Sequence, residues 1–128
     1  MRILLDTHIL IWALLGSRRL PAEAGAALTD GRNEVFFSAA NIWEIAIKRQ
    51  LRRVDFSINA RRIAEAAIET GFVELPISST AAAAVSDLPL HHKDPFDRIL
   101  VCQAMLEPAR LFTVDPRLPP YGEFVTLF

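Results

Sequence analysis

The sequence predicts an α/β fold built around a central, mostly parallel β-sheet. Short, wholly apolar runs such as Ile3–Leu5 recur along the chain, and such runs are typical of strands buried on both faces of a sheet. Segments with helical character separate these runs, as expected for parallel strands joined by crossover helices. The chain has 128 residues and no internal repeat or low-complexity linker, so we expect a single domain over residues 1–128.

Local signals mark where the elements begin and end. Gly16 and Gly71 follow apolar segments and indicate helix ends, whereas Pro21 and Pro95 stand where proline opens a helix. Ser57 is predicted to cap the fourth helix. The predicted strands are Ile3–Leu5, Val35–Phe37, Phe72–Leu75, Leu111–Val114 and Phe124–Phe128. The predicted helices are His8–Leu15, Pro21–Thr29, Asn41–Leu51, the segment between Ser57 and Gly71, Thr80–Ser86 and Pro95–Glu107.

Composition and charge exclude several classes of protein. The 14 basic and 15 acidic residues leave a net charge of −1, which excludes a uniformly basic nucleic-acid-binding surface but not a local basic track. Cys102 is the only cysteine, which excludes an internal disulfide framework and a cysteine-based zinc site. Asp6 and His8 interrupt the apolar N-terminus well short of a signal-peptide core. We therefore expect a soluble, cytoplasmic protein with no membrane partner.

Four acidic residues are predicted to lie at one edge of the sheet. Asp6 and Asp115 each directly follow a predicted strand, Glu44 lies about one helical turn beyond another, and Asp97 is in the first turn of its helix. Ligands of open parallel sheets bind beyond the carboxyl ends of the strands. Clustered carboxylates repel one another unless a cation joins them, and hard oxygen ligands suit Mg²⁺ or Mn²⁺.

Asp94 and Asp97 lie close together and are given different roles. Asp94 precedes Pro95, which is the pattern of an N-cap followed by proline at the first helical position. Asp97 then falls at the third helical position and stays free to reach a metal ion. Asp94 remains an alternative ligand. The adjacent His91 and His92 cannot easily bind one ion together, so the sequence does not predict a zinc site.

Each acid also has a purely structural interpretation. Asp6 could cap the helix after it, Glu44 could complete a capping box with Asn41 or pair with Lys48, and Asp115 could open a turn. In a non-catalytic α/β binding module, which remains an alternative, the acidic residues would have only these structural roles. A receiver-type signalling domain is a further alternative, although it requires an aspartate after the third strand, where the sequence has none.

Basic residues gather after Glu44 and indicate a nucleic-acid substrate. A track of cations at the end of this helix could hold a phosphate backbone, although it could equally be a solvated helix end. We expect RNA contacts from Lys48, Arg49, Arg52 and Arg53, with Arg61 and Arg62 following and Arg98 as a further contact.

Four segments together resemble the PIN-domain ribonucleases, specifically the VapC-like toxins of bacterial toxin–antitoxin pairs. The matching segments are Leu5–His8, Ser38–Lys48, His91–Ala104 and Phe112–Asp115, in the order of the family. The resemblance implies a three-layer α/β/α fold and Mg²⁺- or Mn²⁺-dependent cleavage of RNA by a metal-activated water. It implies a catalytic and metal-binding quartet of Asp6, Glu44, Asp97 and Asp115. Thr7 and Ser38 would then orient ligands or waters.

Apolar residues make up 52% of the sequence, which predicts surface left over for partners. The helix containing Trp12, Leu14 and Leu15, and the segment Ile42–Ile47, carry more apolar residues than one face of a sheet should cover. We expect a homodimer, as in the family that the sequence resembles. We also expect a groove for an amphipathic helix of a VapB-like protein antitoxin.

Overall fold

The computed structural model describes residues 1–52 and 57–128. Five parallel strands form one sheet in the order β3-β2-β1-β4-β5, so the strand nearest the N-terminus lies at its centre. All five predicted strands are present. They are β1 (Arg2–Leu5), β2 (Glu34–Ser38), β3 (Val73–Leu75), β4 (Arg110–Thr113) and β5 (Val125–Leu127).

Within the described residues, six α-helices connect or flank these strands. They are α1 (Thr7–Leu15), α2 (Ala22–Thr29), α3 (Ala39–Gln50), α4 (Ala60–Thr70), α5 (Ser79–Ala84) and α6 (Pro95–Leu106). Two short 3₁₀ turns, Val85–Asp87 and Pro119–Tyr121, lie in the connections around α6 and β5. In the described part of the chain, none of the helices combines the length and the apolar character needed to cross a bilayer.

Two apolar cores cover the two faces of the sheet. Ile3 and Leu5 of β1 point into a core shared with α1, α2 and α4, whereas Leu4 between them points into a core shared with α5 and α6. All three side chains are fully buried, which explains the unbroken apolar run in this strand. The three-layer α/β/α fold implied by the resemblance is therefore confirmed.

The strand order creates a crevice beside the central strand. The chain runs from β1 to β2 and β3 on one side, then returns to place β4 and β5 on the other side. The direction of winding thus changes between β1 and β4, and such a switch point is where open α/β sheets bind ligands. Asp6 immediately follows β1 at this point, and its backbone N–H donates to the Phe112 carbonyl of β4 at 2.9 Å.

Two predicted helix caps differ from the structure. Asn59, not Ser57, caps α4, because its Oδ1 lies next to the first turn and accepts from the Arg61 and Arg62 amides at 2.9 and 3.3 Å. The capping box of α3 also begins earlier than expected. It joins Ser38 to Asn41, and Glu44 is left out of it.

The surplus apolar surface is smaller on α1 than predicted. Trp12 and Leu14 are partly buried against the first core, so they are mostly used within the chain. Leu15 is 58% exposed and Trp43 on α3 is 56% exposed. Apolar surface therefore remains on both helices, at fewer positions than the sequence indicated.

Candidate active site

The predicted acids all line one pocket at the carboxyl ends of the strands. This pocket has a volume of about 330 Å³ and lies at the switch point between β1 and β4. Two cationic side chains, Lys48 and Arg117, share its wall. We call this the acid pocket; its acidic residues are Asp6, Glu44, Asp94, Asp97 and Asp115.

Asp6 joins the first helix to the fourth strand. Its Oδ1 accepts from the Ile9 amide at 2.9 Å and so caps α1. Its Oδ2 accepts from the Thr113 hydroxyl at 2.5 Å and from the Val114 amide at 3.2 Å. Burial outweighs these hydrogen bonds and raises the pKa of Asp6 above its ordinary value. The structural role foreseen for Asp6 is therefore present in the same carboxylate that lines the pocket.

Glu44 is held by a chain of polar side chains. The Thr7 hydroxyl donates to Glu44 Oε1 at 2.5 Å and accepts from Asn41 Nδ2 at 3.0 Å. Lys48 Nζ lies 2.5 Å from Glu44 Oε2, one helical turn away. Glu44 is only 4% exposed on an otherwise apolar helix, so it needs these partners. Thr7 is thus placed to orient Glu44, and Asn41, which the sequence suggested only as a capping partner of Glu44, holds Thr7.

Ser38 is not among the residues that line the acid pocket. Its hydroxyl accepts from the Ala40 amide at 2.9 Å, which caps α3, and donates to Gln103 Oε1 at 2.6 Å. Ser38 is fully buried between the sheet and α6. Its expected role in orienting ligands or waters is therefore not supported by its contacts, and its hydroxyl instead connects two elements of the fold.

The two aspartates at the start of α6 have the different contacts that the sequence predicted. Asp94 Oδ1 accepts from the Phe96 amide at 2.8 Å and caps the helix. Its other oxygen lies 3.9 Å from Lys48 Nζ. Asp97, in the first turn, makes no capping bond, and its Oδ2 lies 2.9 Å from His92 Nε2. Asp97 is therefore held by a side chain and not by the helix backbone.

Negative charge accumulates around Asp97. Burial raises the pKa of Asp97 to about 8, and the nearby carboxylates of Asp94, Glu44, Asp6 and Asp115 contribute to the same shift. A carboxyl group that resists ionisation in this way favours a cation beside it. The donors are hard oxygen atoms, the ligand type that Mg²⁺ and Mn²⁺ prefer.

His92 is a component of the site that the sequence analysis discounted. The Asp94 amide donates to His92 Nδ1 at 3.3 Å, which leaves Nε2 as the ring nitrogen that faces the carboxylates. Nε2 then bridges Asp97 Oδ2 at 2.9 Å and Asp115 Oδ2 at 3.0 Å. Within the described residues, His92, Asp94 and Asp97 form the group whose potential ligand atoms all lie within 4.8 Å of one another. The quartet predicted from the sequence is more widely spaced.

Asp115 is fixed from two sides. Arg117 Nε and Nη2 donate to its two oxygens, each at 3.0 Å, and the Asp115 amide donates to the Thr113 hydroxyl at 3.0 Å. Burial raises the pKa of Asp115, but the hydrogen bonds from Arg117 outweigh it and hold this pKa below its ordinary value. Asp115 is therefore ionised in the pocket, and Thr113 links it to Asp6.

The predicted basic track is only partly a surface feature. Lys48 turns into the acid pocket, whereas Arg49 and Arg52 are exposed at the end of α3. Arg61 and Arg62 are exposed at the start of α4. Arg53 lies outside the described residues.

Arg98 has a different role from the one predicted. Its side chain is buried, and its guanidinium donates to the backbone carbonyls of Pro89 at 3.0 Å and Val85 at 2.9 Å. It also donates to the Tyr121 hydroxyl at 3.1 Å. Because its donors are used inside the protein, Arg98 cannot contact RNA as predicted. It secures the segment that leads to His92.

Comparisons with solved structures place the fold among bacterial complexes of known architecture. VapBC2 from Rickettsia felis, bound to a DNA fragment from its promoter, matches with a TM-score of 0.68 at 13% identity, covering 100% of this chain and 98% of that one. A toxin–antitoxin complex from Klebsiella pneumoniae matches with a TM-score of 0.66 at 25% identity, over 97% and 95% of the two chains. FitAB bound to an IR36 DNA fragment matches at 0.60 and 18% identity, over 98% and 93%.

Sequence comparison gives a family for the chain. No curated protein matches it significantly. The family model of the PIN domain, however, matches residues 3–123. This span contains every residue of the acid pocket and the strands β2, β3 and β4. It begins at the second residue of β1 and ends just before β5. The chain therefore belongs to the PIN domain family.

Proposed function

We propose that this protein is a Mg²⁺- or Mn²⁺-dependent endoribonuclease and the toxin of a toxin–antitoxin pair. The observation that carries the proposal is the convergence of five carboxylates on one pocket, among which the pKa of Asp97 is raised to about 8. Capping alone does not require this arrangement, since Asp97, Glu44 and Asp115 cap no helix. Such a concentration of negative charge is stabilised when a divalent cation joins the carboxylates.

The residues that would hold the metal are Asp6, Glu44, Asp97 and Asp115, with Asp94 as the alternative. When bound, a divalent ion lowers the pKa of water and neutralises charge on the scissile phosphate. The protein supplies the orientation of the ligands. Thr7 and Lys48 fix Glu44 through hydrogen bonds, and partners of this kind usually matter 10–100-fold for metal sites, as an order of magnitude.

The pocket favours direct attack by water on the phosphodiester. Its lining contains neither serine nor cysteine, and its Thr7 hydroxyl is already donated to Glu44. Cleavage of the bond between phosphorus and the 3′ oxygen would then leave a 5′-phosphate and a 3′-hydroxyl. Lys48 and Arg117 stand at the wall of the pocket, where they can offset the charge of the incoming phosphate. Arg49 and Arg52 extend the positive surface along α3.

The partners follow from the similar complexes. The matching structure from Klebsiella pneumoniae is a toxin–antitoxin complex, and its 25% identity extends over nearly the whole chain. This similarity supports a VapB-like protein antitoxin as the partner; cellular RNA as substrate and the cytoplasm as location are part of the same proposal. The exposed apolar residues Leu15 and Trp43 would contribute to a homodimer or to the antitoxin interface.

The test combines cleavage with metal removal. We expect purified protein to cleave single-stranded RNA with Mg²⁺ or Mn²⁺ and to stop in EDTA. Asp6→Asn, Glu44→Gln and Asp115→Asn should each lower the rate by more than about 100-fold, since they remove ligands and not merely their supports. Glu65→Gln, on the exposed face of α4, is the matched control and should cleave normally.

Two results would contradict the proposal. Robust cleavage by any of the three variants, after contaminating nucleases are excluded, would remove that residue from the mechanism. Specific metal binding without cleavage of any RNA would leave a binding module. Light scattering tests the dimer separately, and a monomer at tens of micromolar would refute it.

A further inference from the structure

A second groove opens next to the acid pocket. It has a volume of about 460 Å³ and adjoins the start of α6. Asp94 and Arg117 line both this groove and the acid pocket, so the two spaces adjoin each other. We call it the basic groove; its lining residues are Leu90, His91, His92, Lys93, Asp94 and Arg117.

The charge of the basic groove is opposite to that of the acid pocket. Lys93 is exposed and has no ion-pair partner within residues 1–52 and 57–128. Arg117 is 64% exposed and bonds Asp115 through Nε and Nη2, which leaves Nη1 without a partner in the same ranges. Asp115 thus orients the guanidinium, and an oriented guanidinium loses little freedom when it binds phosphate.

The segment that carries Lys93 is held firmly in place. The Tyr121 hydroxyl accepts from the His92 amide at 3.1 Å and from Arg98 Nη1 at 3.1 Å. Arg98 also donates to the His92 carbonyl at 3.3 Å. The groove is therefore preformed, although it consists largely of loop residues.

Exposed rings and apolar atoms lie next to these cations. The His91 ring packs edge-on against Tyr121, with centroids 5.0 Å apart, and is itself exposed. Leu90 is 80% exposed. An apolar or aromatic surface beside a phosphate-binding cation is the combination with which proteins bind single-stranded nucleic acid, since the bases stack and the backbone pairs with the cations.

We infer that the basic groove is a substrate subsite that binds a backbone phosphate of single-stranded RNA between Lys93 and Arg117, with an adjacent base against His91 and Leu90. The inference rests on the proposed function for the identity of the strand. It explains how a strand could be directed into a pocket that is itself negatively charged, because the groove attracts the flanking phosphate at the mouth of the acid pocket. Lys93 and Arg117 then act as positioning residues.

The test measures binding separately from cleavage. Fluorescence anisotropy of a labelled single-stranded RNA of about 12 nucleotides is recorded in EDTA at several salt concentrations. Lys93→Gln should weaken binding and reduce the slope of log K against log salt by about 0.7, the value for one phosphate contact on a single strand. Lys93→Arg should restore both quantities. Arg19→Gln, an exposed cation beyond the far end of α1, is the matched control and should change the slope by no more than error.

The outcomes separate this inference from the proposed function. An unchanged slope of log K against log salt in Lys93→Gln would overturn the subsite even if the protein cleaves RNA. An equal change of slope in Arg19→Gln would do the same. The absence of RNA binding by the wild type would also overturn it. A reduced slope in a protein that cleaves no RNA would support the subsite and refute the nuclease.

Discussion

Replacing Asp97 with asparagine should stabilise the metal-free protein and abolish its response to metal. The amide of the Asp97→Asn variant keeps an oxygen that can accept from His92 Nε2, which lies 2.9 Å from Asp97 Oδ2 in the wild type. The substitution therefore removes an ionisable group while leaving the shape of the site in place. It also removes a carboxylate ligand, and a neutral amide binds Mg²⁺ much more weakly.

The size of the effect follows from the pKa of Asp97, which lies at about 8 in the folded protein against an ordinary value of 3.8. Above pH 4 the unfolded chain loses this proton while the folded protein keeps it, so stability is lost as the pH rises and the loss is complete above pH 8. Each pH unit in this window is worth about 1.4 kcal/mol, so about 4 kcal/mol separates pH 5 from pH 8 at most. The asparagine variant lacks this contribution.

Thermal melts in EDTA at pH 5 and pH 8 test the reasoning. We expect Asp97→Asn to be more stable than the wild type at both pH values, by a few degrees at pH 5, where about 1.4 kcal/mol has been lost, and by a clearly larger margin at pH 8, given about 3–5 °C per kcal/mol for a domain of this size. Saturating Mg²⁺ should raise the Tm of the wild type only.

Asp94 provides the matched controls for this experiment. Asp94→Asn keeps an acceptor for the Phe96 amide and should cost little stability, whereas Asp94→Ala should cost about 0.5–2 kcal/mol at both pH values. A variant Asp97→Asn that is no more stable than wild type at pH 8 would refute the electrostatic argument. If Asp94→Asn abolishes metal binding while Asp97→Asn retains it, then Asp94 is the ligand.

Three further predictions concern the surroundings of the acid pocket. Lys48→Met should destabilise the metal-free protein by about 3 kcal/mol, because Glu44 loses its cation. Mg²⁺ should restore most of the lost stability of this variant. Equal Tm values of the variant with and without Mg²⁺ would contradict the prediction. Asn41→Ala should lower the free energy of unfolding, measured in urea, by about 1–3 kcal/mol and should slow cleavage at least about 10-fold. A normal cleavage rate would show that Glu44 does not need the support of Asn41 through Thr7. Arg49→Gln combined with Arg52→Gln should lower the salt dependence of RNA binding, while an unchanged slope would make these residues a solvated helix end.

Local rules were sufficient where a signal and its effect lie within a few residues. The pairing of Asp94 with Pro95 identified the start of α6, and the structure confirms the capping bond to Phe96. The apolar run Ile3–Leu5 identified a central strand in the same way, because a strand buried on both faces has apolar side chains at consecutive positions. The prediction of Ser57 as the cap of α4 was wrong: Asn59 caps the helix, and serine and asparagine are both common caps, so residue type alone does not locate the first turn.

Contacts between distant segments were beyond such rules. Thr113 bonds Asp6 across 107 residues of sequence, and His92 bonds Asp115 across 23. Neither contact leaves a local pattern. Arg98 was misassigned for a related reason. An arginine in a motif rich in charged residues has the same sequence signal whether it faces solvent or donates to buried backbone carbonyls, as Arg98 does.

The bond between Thr113 and Asp6 has a consequence for synthesis of the chain. Asp6 is synthesised 107 residues before Thr113, the residue at the end of β4 whose hydroxyl fixes its carboxylate. The acid pocket can therefore be assembled only after translation has passed Asp115. A nascent or prematurely terminated chain that stops before Asp115 therefore carries no complete nuclease site under the proposed function, and the ribosome holds a harmless product until that residue has been added.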